Sequence, residues 1–353
     1  MMTTYVYAGA ADWGGKDPAK CNRGLYRLAT DTGTWTSLEQ GLPAQVEVRY
    51  LTQHPTQPGV VFAGTQAGPY RSTDAGDTWQ PMNFPNDEPV VWSLEIHPAD
   101  ARIMYAGTQD MAVYRSEDSG GHWRRLTVPN PDGLCVMGFP TRMIRLAIDP
   151  SNPDELYAGV EVGGLIRSLD GGATWTDCNA PLLQLGTQER FVQRHGSRRA
   201  SEGMMDTHAL AISAAQPGTV FLANRLGLFR SDDRGEHWED MDIGRFSPLT
   251  YARDVKVFPH DAHTLLGAFS IAAVSDAGSL YRSTDLGATW TRFDHDVSID
   301  STLMIIAASA QSPERVFCAA RRGQVFGTED GGKHWQAYPL PAGVEGIYAL
   351  SCV

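Results

Sequence analysis

The stretch Pro69–Trp79, PYRSTDAGDTW, decides the fold, because close copies of it recur along the chain. Each copy has a Ser or Thr, an Asp two residues later, a Gly two residues after that, and a Trp three further on. Five more copies end at Trp123, Trp175, Trp238, Trp290 and Trp335, and a degraded one, LYRLATDTGTW, ends at Trp35. The Trp-to-Trp spacings are 44, 44, 52, 63, 52 and 45 residues. A core period near 44 suits one four-stranded propeller blade, so seven copies predict seven blades.

Two apolar segments, separated by a turn that contains Pro, precede the motif in each repeat. Before Trp79 they read RYLTQHPTQPGVVFAGT, and before Trp123 they read WSLEIHPADARIMYAGT. Short apolar segments bounded by turn residues are typical of strands. Together with the strand before the motif and the strand that starts at its Trp, every repeat has four strands, A to D. The prediction is an all-β, seven-bladed β-propeller of four-stranded antiparallel blades, in a single domain over residues 1–353.

The two ends of the chain complete one blade. Residues Thr4–Gly9 (TYVYAG) match strand B of the other repeats, and the missing strand A is found at Gly346–Cys352 (GIYALSC). We therefore expect the N- and C-terminal strands to share one blade. Such closure removes the exposed sheet edges that an open array would leave.

Composition narrows the class of function. The formal net charge of −12 argues against a general nucleic-acid binder. No apolar run long enough for a membrane span is present, and the start, MMTTYVYAGAA, lacks the basic and apolar regions of a secretory signal. The five cysteines form no CxxC pair, which favours a cytoplasmic chain with reduced thiols. No cofactor motif is found, so no cofactor is predicted.

The repeated motif has a mechanical explanation. A Ser or Thr hydroxyl and an Asp carboxylate can accept backbone N–H groups within a tight turn. Gly allows a positive φ, and the Trp ring can be buried beneath the turn. We therefore interpret the repeated aspartates as structural and not catalytic.

These repeats resemble the Asp-box, or bacterial neuraminidase repeat, of β-propeller proteins, over essentially the whole chain. Families with this repeat include sialidases, xyloglucan-degrading glycosidases, sortilin-type receptors and the photosystem II assembly factor of chloroplasts. The chain looks most like small single-propeller bacterial proteins described as sialidase-like or glycosyl-hydrolase-like. It departs from sialidases, which have six blades and an Arg-Ile-Pro motif, and from xyloglucan hydrolases, which pair two propellers. The resemblance implies the fold, and function has to be argued from the site.

Insertions indicate which face of the propeller carries function. The repeated motifs join strands C and D at one face, which we call the turn face. Most extra residues fall in D–A or B–C loops at the other, which we call the loop face. The longest insertion, Asn179–Met205, includes the basic segment Glu189–Arg199 (ERFVQRHGSRR), interpreted either as a mobile lid or as a solvated basic loop. Long loops on a rigid scaffold are good candidates for binding residues.

Strand A starts at the loop face and lines the central channel, so its first residues should form the channel mouth. Aligning the A strands on Leu51 and its equivalents gives one residue per blade two positions earlier: Arg49, Trp92, Ile144, His208, Arg253, Met304 and Tyr348. The ligand-binding candidates are Trp13, Arg49, Trp92, Arg142, Arg145, Arg253, Arg322 and Tyr348. Arginine presents paired N–H donors to carboxylates and phosphates. The mouth therefore predicts an anionic or carbohydrate-like ligand, with internal ion pairing as the structural alternative.

Three residues are candidates for acid–base catalysis, His208, Glu161 and Asp206. A His at this place is a base, a metal ligand, a ligand contact or a hydrogen-bonded structural residue. Only His195 could join it around a metal, without regular spacing, so no metal site is predicted. Two functions stay open. One is an enzyme-like propeller, a glycoside hydrolase or lyase acting on a small polar ligand. The other is a non-catalytic binding or assembly propeller with a protein partner on the loop face.

Overall fold

The computed structural model describes residues 4–12, 23–85, 90–135, 137–195 and 200–353, and these form seven four-stranded antiparallel sheets. From the axis outward, blade 1 contains β28 (Ile347–Cys352), β1 (Tyr5–Ala10), β2 (Gly24–Ala29) and β3 (Thr34–Ser37). Blade 2 contains β4 (Val48–Gln53), β5 (Val61–Thr65), β6 (Gly68–Ser72) and β7 (Gln80–Pro81). Blade 3 contains β8 (Val91–Ile96), β9 (Met104–Thr108), β10 (Ala112–Ser116) and β11 (Arg124–Arg125). Blade 4 contains β12 (Met143–Ile148), β13 (Leu156–Val160), β14 (Gly164–Ser168) and β15 (Thr176–Asp177). Blade 5 contains β16 (Thr207–Ile212), β17 (Val220–Asn224), β18 (Gly227–Ser231) and β19 (Glu239–Asp240). Blade 6 contains β20 (Tyr251–Phe258), β21 (Asp261–Ser270), β22 (Gly278–Ser283) and β23 (Thr291–Arg292). Blade 7 contains β24 (Leu303–Ala308), β25 (Val316–Ala320), β26 (Val325–Thr328) and β27 (Gln336–Ala337).

The propeller is closed, as the sequence predicts. Each inner strand contacts the inner strands of the blades on either side, in the cyclic order β28, β4, β8, β12, β16, β20, β24 and back to β28. In blade 1, β28 runs antiparallel to β1, with Tyr7 opposite Ser351 and Ala8 opposite Leu350. The N- and C-terminal strands therefore share one blade, and the fold prediction is confirmed.

The repeated motifs form tight turns held by their own side chains. In blade 2 the Ser72 hydroxyl donates to the Asp74 carboxylate at 2.8 Å and accepts the Gly76 N–H at 2.7 Å. The same carboxylate accepts the Thr78 N–H at 2.9 Å and the Thr78 hydroxyl at 2.6 Å. Gly76 has a φ of 93°, which Gly adopts without strain. The Trp79 indole donates to the Gly76 carbonyl at 3.0 Å, so the turn and the ring below it form one unit.

The degraded copy in blade 1 uses its Trp differently. The Trp35 indole donates at 3.0 Å to the carbonyl of Tyr338, a residue that directly follows the last strand of blade 7. Its ring therefore connects the first and last blades at the point where the propeller closes.

Each inner strand carries a β-bulge at the same position near its start. In blade 2, Val48 pairs with Thr65 and Tyr50 pairs with Gly64, so Arg49 is the extra residue. The equivalent extra residues in all seven blades are Arg49, Trp92, Ile144, His208, Arg253, Met304 and Tyr348. A bulge re-aims the side chain of its extra residue. These seven residues, which we call the bulge ring, are the set that the strand alignment predicts at the channel mouth.

The longest insertion is largely helical. It contains α1 (Asn179–Gly186), α2 (Glu189–His195) and α3 (Ala200–Met205), and residues 196–199 lie outside the described part of the chain. The first and third helices pack on β14, and the third also on β17. The Phe191 side chain is fully buried. The Asn179 side-chain amide forms hydrogen bonds with three main-chain groups of blade 4 and its loops. The described helices are therefore docked on blades 4 and 5.

Candidate functional site

The bulge ring fills the channel at the loop face. Trp92, Ile144, Met304 and Tyr348 are all at least 94% buried and belong to one apolar cluster. The rings of Trp92 and Tyr348 meet edge to face with centroids 5.9 Å apart, although their blades are not neighbours. The Arg49 guanidinium lies 4.2 Å from the Trp92 ring and 5.7 Å from the Tyr348 ring. The mouth is therefore a floor of aromatic and apolar side chains with arginines on it.

Two of the arginines at this floor have carboxylate partners. Arg49 pairs with Glu47, and Arg142 pairs with Glu161 at 2.8 Å. The Arg142 guanidinium also lies 4.4 Å from the Trp92 ring, so both cations stack on one indole. Burial lowers the pKa of Arg49, and the neighbouring charge of Arg142 acts in the same direction, against Glu47. Two guanidinium groups, each paired with a carboxylate, are thus held against one indole ring.

Arg253 differs from the other two. It is 93% buried, yet its guanidinium forms no hydrogen bond or ion pair with another described residue. Burial lowers its pKa, but Tyr251, Tyr348, Glu161 and Asp206 more than compensate, and the pKa is raised overall. A buried arginine stabilised only from a distance has its five N–H donors available to a ligand.

Further donors at the mouth have no acceptor. The Trp92 indole N–H, the Tyr348 hydroxyl and the Nε groups of Arg49 and Arg142 are buried without a hydrogen-bond partner in the described residues. Buried polar groups in folded proteins are nearly always hydrogen-bonded. Since the unpaired groups here are donors, the site favours a ligand that is rich in acceptors.

His208 lies at the edge of this floor within a hydrogen-bonded network. Its Nδ1 lies 2.7 Å from the Ala252 carbonyl, which can only accept, so Nδ1 carries a proton. On the other side of the ring, Nε2 lies 3.3 Å from the Tyr251 hydroxyl and 3.4 Å from an Asp206 carboxylate oxygen. The imidazole is 97% buried, and its Nε2 contacts are the side chains of Tyr251 and Asp206.

The two carboxylate candidates are both held by arginines. Asp206 pairs with Arg225 at 2.8 Å, and Glu161 pairs with Arg142. Burial opposes ionisation of Asp206, but His208 and Arg225 outweigh it and hold the pKa of Asp206 at about 2. Asp206 is therefore ionised at neutral pH. The negative charges of Glu161 and Asp206 both raise the pKa of Arg253.

The remaining candidates lie elsewhere. Arg145 follows the bulge residue Ile144 and lies deeper in the channel, 5.5 Å from the Tyr50 ring. Arg322 is exposed, and its guanidinium donates to the Asp300 carbonyl at 2.9 Å. Trp13 lies outside the described residues. The structure thus brings together Arg49, Trp92, Arg142, Glu161, Asp206, His208, Arg253 and Tyr348, and not Arg145 or Arg322.

Three residues of the site are not among the candidates predicted from the sequence. Glu47 pairs with Arg49, Arg225 pairs with Asp206, and Tyr251 bonds His208. Tyr251 and Glu47 each lie two residues before a bulge position, so reading the alignment two places further towards the loop face would have found them. Arg225 directly follows β17, the strand B of blade 5.

No group of three or more His, Cys, Asp or Glu side chains that could hold a metal occurs in the described part of the chain. Among the same residues, no helix has the length and apolar character needed to cross a membrane.

Comparison with known proteins finds one matching family model and two kinds of relative. The family model for sortilin (neurotensin receptor 3) matches residues 67–177. Xyloglucanase Xgh74A of Acetivibrio thermocellus is 23% identical over 235 residues, which are 59% of this chain and 27% of that protein. The photosystem II assembly lipoprotein Ycf48 of a Synechococcus species is 29% identical over 129 residues, 36% of each chain.

Solved structures show the same fold. The GH74 xyloglucanase from Xanthomonas campestris superposes with a TM-score of 0.63 at 21% identity, over 88% of this chain and 47% of that one. The chain spans about a quarter of the length of the curated xyloglucanase and about half of the solved one. It is therefore similar, over one shared propeller fold, to a class of glycoside hydrolases and to an assembly factor.

Proposed function

We propose that this chain is an enzyme-like propeller that binds a small, acceptor-rich ligand at the channel mouth on the loop face. The ligand carries a carboxylate or phosphate group, or is a carbohydrate with an acidic substituent. One observation supports this most directly. Arg253 is 93% buried and is influenced by other residues only through charges at a distance, among them Tyr348, whose hydroxyl is unpaired like the Trp92 indole N–H. A site with spare hydrogen-bond donors and clustered guanidinium groups is complementary to an anion.

The finer reaction we propose is glycoside hydrolysis or elimination, of which elimination suits the geometry better. Hydrolysis requires a protonated carboxylic acid to assist the leaving group. Asp206 is ionised, and Glu161 is paired with Arg142. Elimination next to a sugar carboxylate instead requires a cation to hold the charge that develops on that carboxylate, and a group that moves a proton. Arg253 supplies the cation. Tyr251 takes the proton from the carbon next to the carboxylate while it passes its own hydroxyl proton to His208 Nε2. A C=C bond then forms as the glycosidic C–O bond breaks, and the departing oxygen leaves as a hydroxyl with a proton returned by His208 and Tyr251.

The test of binding is Arg253→Ala, with Arg322→Ala as the matched control on the same face. Calorimetric titrations would use D-glucuronate, D-glucose 6-phosphate and neutral D-glucose. Loss of a charged hydrogen bond should weaken the binding of both anions by about 1.5–3 kcal/mol, and the control substitution should change their binding little. Added salt should weaken wild-type binding, because partly exposed charges are screened. Equal affinity of wild type and Arg253→Ala for both anions would refute the proposal.

The test of catalysis is His208→Gln, assayed on acidic oligosaccharides by the absorbance of the unsaturated product of elimination. If His208 belongs to the proton path, turnover should fall by about 10²–10⁴-fold while affinity changes little. A new reducing end without the unsaturated product would indicate hydrolysis instead.

A second candidate function is a non-catalytic binding or assembly propeller with a protein partner on the loop face. It is favoured by the arginine partners of both candidate carboxylates and by the similarity to Ycf48. Under this alternative, acidic oligosaccharides bind without being cleaved, and His208→Gln alters affinity alone.

We also assign the repeats to the Asp-box type. The assignment is supported by the turn described for Ser72 and Asp74, whose pattern of hydrogen bonds recurs at Ser283 and Asp285 in blade 6. A cytoplasmic chain without nucleic-acid or membrane partners remains part of the proposal, on the charge and cysteine content given above.

A further inference from the structure

The channel has a second opening, at the turn face. There the C-terminal halves of β4, β20, β24 and β28 surround a cavity of about 260 Å³. The A strands run from the loop face to the turn face, so this cavity lies on the opposite side of the bulge ring from the candidate site. Its polar lining includes Tyr50, Thr52, Gln53, Lys256 and Ser351. It is smaller than most drug-binding pockets and suits a ligand of a few heavy atoms to about the size of a monosaccharide.

Lys256 is the charged residue among those that line this cavity. Its ammonium group lies 4.0 Å from the nearer oxygen of Asp254. Both oxygens of that carboxylate already accept main-chain N–H groups, from Val255 at 3.0 Å and Ile306 at 2.9 Å. Asp254 therefore serves mainly to join blades 6 and 7. The three N–H donors of Lys256 are left largely to whatever enters the cavity.

The neutral polar side chains can complete such a site. The Gln53 amide donates to the Ser351 hydroxyl at 2.8 Å, which joins blades 1 and 2 across the cavity wall. This bond does not use the Gln53 carbonyl oxygen as an acceptor or the Ser351 hydroxyl as a donor, so both can contact a ligand. Thr52 contributes a further hydroxyl to the cavity. A cation with neutral hydrogen-bonding groups around it can bind an anionic group and the hydroxyls attached to it.

We propose that this turn-face cavity is a second binding site, for a small molecule that carries a carboxylate or phosphate group, with Lys256 as its charged contact. The inference does not rest on the function proposed for the loop face, because the bulge ring separates the two sites and they share no residue.

A half-buried carboxyl group behind the cavity, that of Glu95, links binding to pH. The Tyr50 hydroxyl donates to Glu95 on β8. The groups that act on Glu95 are Tyr50 on β4, Arg145 on β12 and Lys256 on β20. Asp254, also on β20, acts on Tyr50 and lies beside Lys256. Cys352 on β28 also lines the cavity, but burial raises its pKa to about 12 and it stays neutral. The sequence of β24, Leu303–Ala308, contains no titratable residue.

The charge balance of this cluster depends on Glu95. When Glu95 is ionised, the negative charges of Glu95 and Asp254 balance the positive charges of Arg145 and Lys256. With Glu95 protonated, one positive charge is left in excess, beside the cavity. Burial raises the pKa of Glu95, against the opposing effects of Tyr50, Lys256 and Arg145. Anion affinity should therefore be highest at acidic pH and fall as the pH rises through the pKa of Glu95.

The experiment is a titration followed by methyl NMR, with D-glucuronate, D-glucose 6-phosphate and D-glucose as probes. The Val257 and Ile306 methyls report on the turn-face cavity, since both residues line it. The Ile144 and Met304 methyls report on the bulge ring below the loop-face site. The two anions tell a carboxylate site from a phosphate site, and glucose measures what the charge contributes.

We expect at least one anion to shift the Val257 and Ile306 methyls saturably, and more strongly than glucose does. Lys256→Met should weaken that binding about tenfold, the loss of one charged contact. Lys333→Met is the matched control, since Lys333 is exposed on the same face. Lys256→Arg should retain binding. As the pH rises through the raised pKa of Glu95, the wild-type affinity should fall, while Glu95→Gln should bind tightly with little pH dependence.

Three results would overturn the inference. The first is that the anions shift only the Ile144 and Met304 methyls, which would support the loop-face site alone. The second is that Lys256→Met, with its melting temperature unchanged, binds as tightly as the wild type. The third is that glucose binds as well as either anion.

Discussion

Removal of residues 346–353 should prevent stable folding, because they supply the inner strand of blade 1. Ile347, Tyr348 and Leu350 are at least 94% buried between neighbouring blades. Full burial of a large apolar side chain contributes roughly 1.5–3 kcal/mol, so these three contribute roughly 4.5–9 kcal/mol. A typical domain is stable by only about 5–15 kcal/mol. The truncation also exposes the edge of β1 and uncovers the flank of β4 and β24.

A single substitution gives a graded version of the same test. Leu350→Ala should lower the free energy of unfolding by roughly 2–5 kcal/mol, as is usual for a buried leucine. Leu169→Ala is its matched control, because Leu169 is 50% exposed. That change should stay within about 0.5 kcal/mol. Urea unfolding followed by tryptophan fluorescence measures both.

Rescue in trans separates loss of the strand from unrelated damage. A synthetic peptide of residues 346–353 that binds only the folded form should restore a cooperative melting transition to the truncated chain, at a temperature that rises with the peptide concentration. Cooperative melting of the truncated chain at the wild-type temperature would refute the closure argument. So would a Leu350→Ala variant as stable as Leu169→Ala.

Three further predictions concern the turns and the insertion. Ser283→Ala should reduce stability by about 1–3 kcal/mol in urea unfolding, because the buried Gly287 N–H loses its acceptor, and ligand affinity should not change. His237 should titrate above its ordinary value of 6.5 by NMR, since the hydrogen bond and charge of Asp233 raise its pKa, and Asp233→Asn should abolish the shift. Because that pKa is raised in the folded state, the stabilisation is present below the unfolded pKa and should be lost as the pH rises through the folded one. Phe191→Ala should destabilise the docked helices by about 3–5 kcal/mol, seen as faster amide exchange in α1 and α3 than in the blades.

The sequence predicts the blades well because each one repeats a short-range rule. The turn at Ser72, Asp74 and Gly76 is closed by atoms at most six residues apart, so its geometry can be inferred from the motif. The helices of the insertion lie outside any repeat. They depend on contacts such as the one between the Asn179 amide and the Gly163 carbonyl, which no local pattern shows.

The sequence predicts where the residues of the candidate site lie, but not which residues they hydrogen-bond or pair with. The alignment places Arg253 and His208 at equivalent bulges, and the structure agrees. Their partners come from other blades or loops, as when Ala252 of blade 6 accepts from His208 of blade 5. The cluster of Glu95 and Lys256 was missed because the alignment was read only towards the loop face. Both residues stand one place after the aligning apolar residue, at Leu94 and Val255.

Repetition within one chain separates residues that serve the fold from those that serve a site. At the turns, the same backbone position holds Ser or Thr, then Asp, then Gly in six blades, because every copy must close the same turn. At the bulges, an equally regular backbone position holds seven residues of six kinds, Arg, Trp, Ile, His, Arg, Met and Tyr. The bulge itself needs none of these side chains, since apolar Ile144 and Met304 form it as well as the charged Arg253 does. The polar members of the ring are therefore not required by the propeller, and Arg253, buried without a direct partner among the described residues, is the member whose presence a bound anion would explain.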